Sequence, residues 1–494
     1  MHRAITTIGC AVLLMGTVLG ASAQQPTRGE VDQLKKLLEQ QEQSIRDLKQ
    51  RIQQLEGRTG PSPAKAKAKT AEPPPPVAAA PGPRVPPSPA EEAEALAFPE
   101  IKQSPVKNRD NFDDRQDAAA RPGDFVLDPA FRGYIPIPRT IFMLKFNPKP
   151  RLDMLFTTKN PGDARYRFIT ARLPLESSPT FGGEQFNATA NGSQIRVDMR
   201  APSMPGNFRL YYQNDFFGSN SSQMQYRLQH FFGQYYGLVA GFTYGVFEDP
   251  DSWPDTVDYE GPNAAIFARR PLVHYIYEID PDWSITFGLE EPSLAVDTTG
   301  DENAASRTAA PDGGFNIRWT PGDLGHMQFS TIFRSLAVRG DRRADDNVFG
   351  WGVNLSGLFN ITGSDLVQFL GVYGEGIGGL GNDSGFDNTD AAFAGNGELV
   401  ALEYASALGA YTHKWSPSWR STATFGWVKV ANTSMQAPGA YHLTYYSSVN
   451  LMYQVFKRVM LGVEGLYGFR EVRNGEETGN VTRVNLALVY SPFD

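Results

Sequence analysis

Cysteine occurs once in this 494-residue chain, at Cys10, inside an apolar stretch and too early for a lipid-attachment cysteine. The rest of the chain has no thiol, which excludes disulfides and thiolate metal sites. Long apolar runs are missing too. After Leu19 no 18 consecutive apolar residues occur, and mean hydropathy is -0.36. That argues against a helical membrane protein. It does not test a transmembrane barrel, whose strands are polar at every second residue. A basic excess is absent: 46 Lys and Arg stand against 54 Asp and Glu, so no nucleic-acid partner is expected. No glycine-rich phosphate cradle follows a strand and opens a helix. His230, His274, His413 and His442 lie on expected strands without a recognisable Ser/His/acid spacing. No enzyme activity, cofactor or metal site is therefore expected. A barrel lipid hydrolase is the least favoured alternative.

What is present divides the chain into four parts. Arg3, the apolar run Ile8 to Leu19 and the small residues Ala21-Ser22-Ala23 read as a secretory signal peptide over residues 1–23. Residues 30–56 follow a heptad pattern. Val31, Leu38, Ile45 and Ile52 fall at position a, and Leu34, Gln41, Leu48 and Leu55 at position d. This predicts a coiled coil about 40 Å long at a rise of 1.5 Å per residue, with polar Gln41 fixing register at some cost in stability. Residues 57–124 carry Lys65, Lys67 and Lys69, then Pro73 to Pro76 and five further prolines up to Pro89. Such a segment cannot bury a core and is expected to be a disordered, extended linker. A contact with peptidoglycan through this N-terminal region stays open.

From residue 125 to 494 apolar and polar residues alternate in short segments. Phe315, Ile317 and Trp319 interleave with Asn316 and Arg318; Val484, Leu486, Leu488 and Tyr490 interleave with Arg483, Asn485 and Ala487. A period of two places each set on one face of a strand. An aromatic-rich face opposite a face of Arg, Asn, Gln, Ser and Gly predicts an all-β antiparallel transmembrane barrel in the outer membrane of a Gram-negative bacterium, exposed to lipid and lipopolysaccharide. Seventeen segments can be delimited, including 141–157, 164–173 and 193–201. A single-chain bacterial barrel has an even number, so about 16 strands are expected, with 18 as the alternative. Short separators such as Thr362-Gly363 suit periplasmic turns, whereas 174–192, 248–263, 292–311 and 378–397 suit extracellular loops. Trp319, Trp351, Trp415, Trp419 and Trp427 lie near strand ends, as interfacial girdle residues do.

Parity assigns part of the inner wall. Arg196, Asp198 and Arg200 share one face against Ile195, Val197 and Met199, and Arg209, Arg227, Arg318, Arg334, Arg420 and Arg483 fall inside by the same rule. Parity around Pro271 leaves Arg269 and Arg270 undecided. After residue 124 there are 23 Arg and 6 Lys. The planar guanidinium fork binds carboxylates bidentately, so this choice suits an anion-guiding lumen. The alternative is that these arginines pair with acids such as Asp198, Glu403 and Glu464 and only stiffen the wall. A second acidic group, Glu248, Asp249, Asp251, Asp255, Asp258 and Glu260, fills one loop. That loop either folds inward as a constriction or stays outside and binds cations. Gly374, Gly376, Gly378, Gly379 and Gly381 mark the start of a flexible loop.

The sequence resembles the DcaP-like outer-membrane porins. The resemblance is carried by Gly133-Tyr134-Ile135-Pro136-Ile137-Pro138 before the first strand, Asp153-Met154-Leu155 within it, the stretch Asp255 to Asn263, and Arg269-Arg270-Pro271. Phe146-Asn147-Pro148-Lys149-Pro150 departs from the family, which has a glycine-bearing strand there. The resemblance implies a homotrimeric sixteen-stranded porin with a periplasmic coiled coil that passes small anionic solutes such as dicarboxylates. A non-conducting barrel that tethers the envelope is the alternative.

Overall fold

A computed structural model describes residues 134–491, apart from 163–164, 180–181, 202–207, 219–223, 300, 302–303, 341–345, 457, 474 and 476. The signal peptide, the heptad core from Val31 to Leu55 and the linker lie outside the described residues.

Alternating residues build one large antiparallel sheet of 20 strands. Along Gln194–Arg200 every second residue, including Arg196, Asp198 and Arg200, is buried. On the opposite face of the sheet, large apolar side chains such as Phe287, Leu355, Phe425 and Val449 are exposed. Pairing runs mostly between strands that follow one another, and the last strand pairs with an early one. Arg151–Thr157 pairs with Gln185–Thr189 on one edge and with Thr478–Tyr490 on the other, the latter from Arg483↔Thr157 to Val489↔Arg151.

Pro148 and Pro150 explain how the first wall strand is divided. Met143–Lys149 pairs with Gln194–Arg200, and its second edge meets only Ile135–Pro136. Proline lacks an amide donor, so it is tolerated where one edge has no long partner. The hairpin between Arg227–Tyr235 and Leu238–Tyr244 turns through Tyr236 at φ 48° and Gly237 at φ 78°. Two successive positive φ values match the right-handed twist of the flanking strands.

Several expectations are corrected. Of the expected strand 164–173, the described residues 165–173 form no strand; they hold a short 3-10 turn, Thr170–Arg172, and Phe168 and Leu173 are buried. Phe168 meets Tyr446, and a Cβ at Gly468 would lie 2.8 Å from Leu173. The apolar residues of this segment thus turn inward as a packed loop. The other sixteen expected segments all supply strands of the large sheet. The loop over 174–192 contains a strand, Gln185–Thr189. The loops 292–311 and 378–397 are not plain loops either. Val296–Asp297, Ala391–Phe393 and Leu399–Ala401 form a separate three-stranded sheet. The glycines after Gly376 are packed rather than flexible: a Cβ at Gly378 would meet Thr389 at 2.5 Å, and the Gly379 amide donates to Asp390 at 2.7 Å. Glu403 is exposed, because the strand Glu403–Ser416 begins on its outward parity.

Candidate functional site

Residues 245–268 connect Leu238–Tyr244 to Arg269–Glu278 and lie against the buried face of the sheet. Fully buried apolar side chains anchor this segment, among them Phe247, Trp253, Val257 and Ile266. Each such burial contributes about 1.5–3 kcal/mol. Trp253 packs tilted against Phe267 with ring centroids 5.0 Å apart and meets Tyr244 edge-on at 5.2 Å. Wall glycines make the room. A Cβ at Gly462 would lie 2.7 Å from Val257, and one at Gly426 would run into Asn263.

Polar groups complete the seat from many strands. Asn316 donates to the Val246 carbonyl at 2.9 Å, Asn354 to Phe247 at 2.9 Å, and Gln328 to Glu248 at 3.0 Å. Farther round the sheet, Arg151 donates to the Val257 carbonyl, Asn450 to Asp255 at 2.8 Å, and Asn263 to Thr444 at 2.8 Å. Asp258 donates its amide to Glu464. The acidic loop therefore lies on the inner face, and strands from both halves of the sequence hold it.

Its carboxylates have distinct surroundings. Asp249 accepts from Arg318 at 3.1 Å, Ser356 at 2.7 Å and pairs with His326 at 2.8 Å. Burial alone would raise its pKa, but His326 and Arg318 hold it well below the usual carboxylate range. Asp251 bonds Arg318, Asp255 bonds Arg420 at 3.0 Å, and Glu260 bonds Arg167 at 3.1 Å. The Asp258 carboxylate accepts from the Gly261 amide at 3.1 Å; burial and the facing Glu464 push its pKa well up. Glu248 is pushed up to about 8, first by burial and then by Glu290. Asp383, in a neighbouring loop, is raised to about 7 by burial. Asp249, Asp251 and His326 bring three ligand atoms within 4.8 Å of one another, but Arg318 already supplies a cation to both carboxylates.

The arginines selected from parity are on the inner face, and most are engaged. Arg196 donates to Gln194 at 2.9 Å. Arg200 and Arg209 share Asp198 at 2.9 and 3.0 Å. Arg227 bonds Asp215 at 2.9 Å. Arg270 bonds Asp312 at 2.8 Å and Glu290, while Arg334 spans Asp312 at 3.0 Å and Asp390 at 2.9 Å. Arg269 differs. Among the described residues it forms no hydrogen bond or ion pair; its guanidinium lies 4.8 Å over Phe267 and 5.8 Å over Tyr244. It borders a polar cavity with Arg151, Arg227, Gln194, Gln213 and Tyr259. A second cavity, sharing Tyr244 with the first, is lined by Glu248, His274, Ser284, Thr286, Asn316 and Gln328.

Sequence reasoning missed Asp215, Glu290, Asp312 and Asp390 as partners. Asp215 and Asp312 share parity with Arg209 and Arg318, so that signal was present; Asp390 lies in a loop and carried none. His413 pairs with Asp365 at 2.7 Å, and Ser421 lies opposite on the adjacent strand. Ser421 instead accepts from the Trp415 indole at 2.9 Å. Among the described residues no serine hydroxyl hydrogen-bonds His413.

A family model described as DcaP outer membrane protein matches residues 136–491. The outer membrane channel DcaP of Acinetobacter baumannii superposes with a TM-score of 0.62 at 19% identity, covering 71% of this chain and 97% of that one. An anion-selective porin from Comamonas acidovorans gives a TM-score of 0.47 at 10% identity, covering 71% and 99%. No curated protein matches the sequence.

Proposed function

The chain belongs to the DcaP outer membrane protein family, and from that premise we propose a porin that passes small hydrophilic anions, dicarboxylates among them, through a closed barrel of sixteen strands. Closure is supported by the pairing of Arg151–Thr157 with Thr478–Tyr490. The setting is the Gram-negative outer membrane. Passage is passive rather than catalytic, in keeping with a channel family.

The observation that carries the anion reading is Arg269. Arg269 is half-buried, and cations withdrawn from water normally have an acidic partner. Arg269 forms no ion pair among the described residues and faces a cavity with two further arginines, several amides and the carboxyls of Asp258 and Glu260, the latter paired with Arg167. A carboxylate entering there would find a guanidinium whose donors are uncommitted. The segment 245–268 acts as the constriction in this reading; Asp251, Asp255 and Glu260 are paired with Arg318, Arg420 and Arg167, while Asp258 and Glu260 also line the cavity beside Arg269. Binding must stay weak, because a tightly held solute blocks its own path. The test is the reversal potential of purified trimer in planar bilayers under a KCl gradient. An anion-selective sign is expected, reduced in Arg269→Gln, together with brief current interruptions by succinate. A cation-selective sign would refute the reading and assign selectivity to the acidic segment.

A second reading, a non-conducting barrel that tethers the envelope, draws on the number of strands that bond the inner segment. It requires zero conductance in the same trace. The homotrimer, the periplasmic coiled coil at residues 30–56 and a peptidoglycan contact are further parts of the proposal, resting on the heptad pattern and the family resemblance.

A further inference from the structure

The two cavities meeting at Tyr244 differ in chemistry. The first presents arginines. The second presents hydrogen-bonding groups with unused capacity. His274 is 8% exposed, and neither ring nitrogen has a partner among the described residues. Glu248 is 3% exposed; among the described residues neither carboxyl oxygen has a hydrogen-bond partner, and Arg270 stands off at 4.0 Å. Ser284 and Thr286, each carrying a hydroxyl, border the same space. Its one arginine, Arg318, is committed to Asp249 and Asp251. Buried polar atoms without partners are costly, and a ligand that supplies the missing bonds recovers that cost.

We propose that the second cavity is a hydroxyl-recognising station, so that the pore favours hydroxylated carboxylates over carboxylates of the same carbon skeleton that lack hydroxyls. The carboxylate is held beside Arg269 while hydroxyl groups donate to and accept from His274, Glu248, Ser284 and Thr286 beyond Tyr244. An imidazole offers one donor and one acceptor, which matches the dual character of an alcohol. A second carboxylate finds no uncommitted cation there, whereas an alkyl chain leaves every partner unmet. This inference rests on the porin reading and deepens it.

The experiment compares matched solute pairs by their blockage of single-channel current: butanoate against 2,3,4-trihydroxybutanoate, and succinate against tartrate. The hydroxylated member of each pair is expected to interrupt current about fivefold longer or more, the factor one net hydrogen bond contributes. In His274→Ala, and separately in Ser284→Ala with Thr286→Val, that ratio should fall toward one while carboxylate-dependent interruptions persist. Equal dwell times within both pairs for the unaltered protein would overturn the inference and leave the cavity to water. Absence of current, or interruptions unchanged in Arg269→Gln, would instead count against the porin or anion reading, so the failures are distinguishable.

Discussion

Arg318→Met tests how the inner segment is held. Arg318 bonds Asp249 at 3.1 Å and Asp251, and the two carboxylates are essentially inaccessible. Removing one partner of a buried ion pair costs about 3–5 kcal/mol, because the remaining charge is left unpaired. The other local holds survive: Asn316, Gln328 and Asn354 on backbone carbonyls, and His326 and Ser356 on Asp249. At about 1 kcal/mol each for neutral bonds, they are comparable to what is lost. The variant should therefore keep its wall but raise the population of a displaced segment by a factor of about 10² or more. Single-channel records should show flickering between the parental level and a higher one. Arg318→Met combined with Asp251→Asn should flicker less, since only one carboxylate then lacks its cation. A steady parental level in Arg318→Met, with unchanged heat-modifiability on gels, would refute the idea that this clamp secures the segment in the current path.

Glu248→Gln tests the buried carboxyl. An acid raised to about 8 holds its proton in the folded state over a range where the unfolded chain has lost it. Stability should accordingly fall as pH rises from about 4 toward 8 and then level off. Asp258 and Asp383 act in the same direction. Thermal unfolding across that window should be flatter in Glu248→Gln. Gly462→Leu should push Val257 from its seat; higher conductance with an intact barrel is expected, and parental conductance would argue against the socket. Deleting residues 30–56 should leave a folded trimer of lowered thermal stability, and a stable monomer by light scattering would show that the heptads carry assembly.

The strands were legible because each wall residue obeys a two-residue period. Arg196, Asp198 and Arg200 could be placed from that period alone, and the structure has all three buried. The period failed at 164–173, where Phe168 and Leu173 are apolar for another reason: they fill the space beside Gly468 and Tyr446. A loop packed inside a sheet buries apolar residues as a strand does, and local pattern cannot separate the two. The acidic segment was ambiguous on the same ground. Its position depends on Gly426, Gly462 and Arg318, which lie far away in sequence and signal nothing locally. Arg269 and Arg270 could not be resolved by parity because both contact inner-face groups where the chain enters its strand.

The inner segment also bears on how such a chain assembles. Pairing the first wall strand with the last joins residues as far apart as Arg151 and Val489, 338 positions. Ordering so long a span in one step is entropically demanding and slow. Arg151 reaches Val257 across 106 positions, and Asp258 reaches Glu464 across 206. The segment thus divides one long closure into two shorter ones that meet beside the seam. Residues 257 and 258 serve as a relay between the N-terminal and C-terminal strands, so a chain that has seated them has brought its two ends within reach of each other before the last hydrogen bonds form.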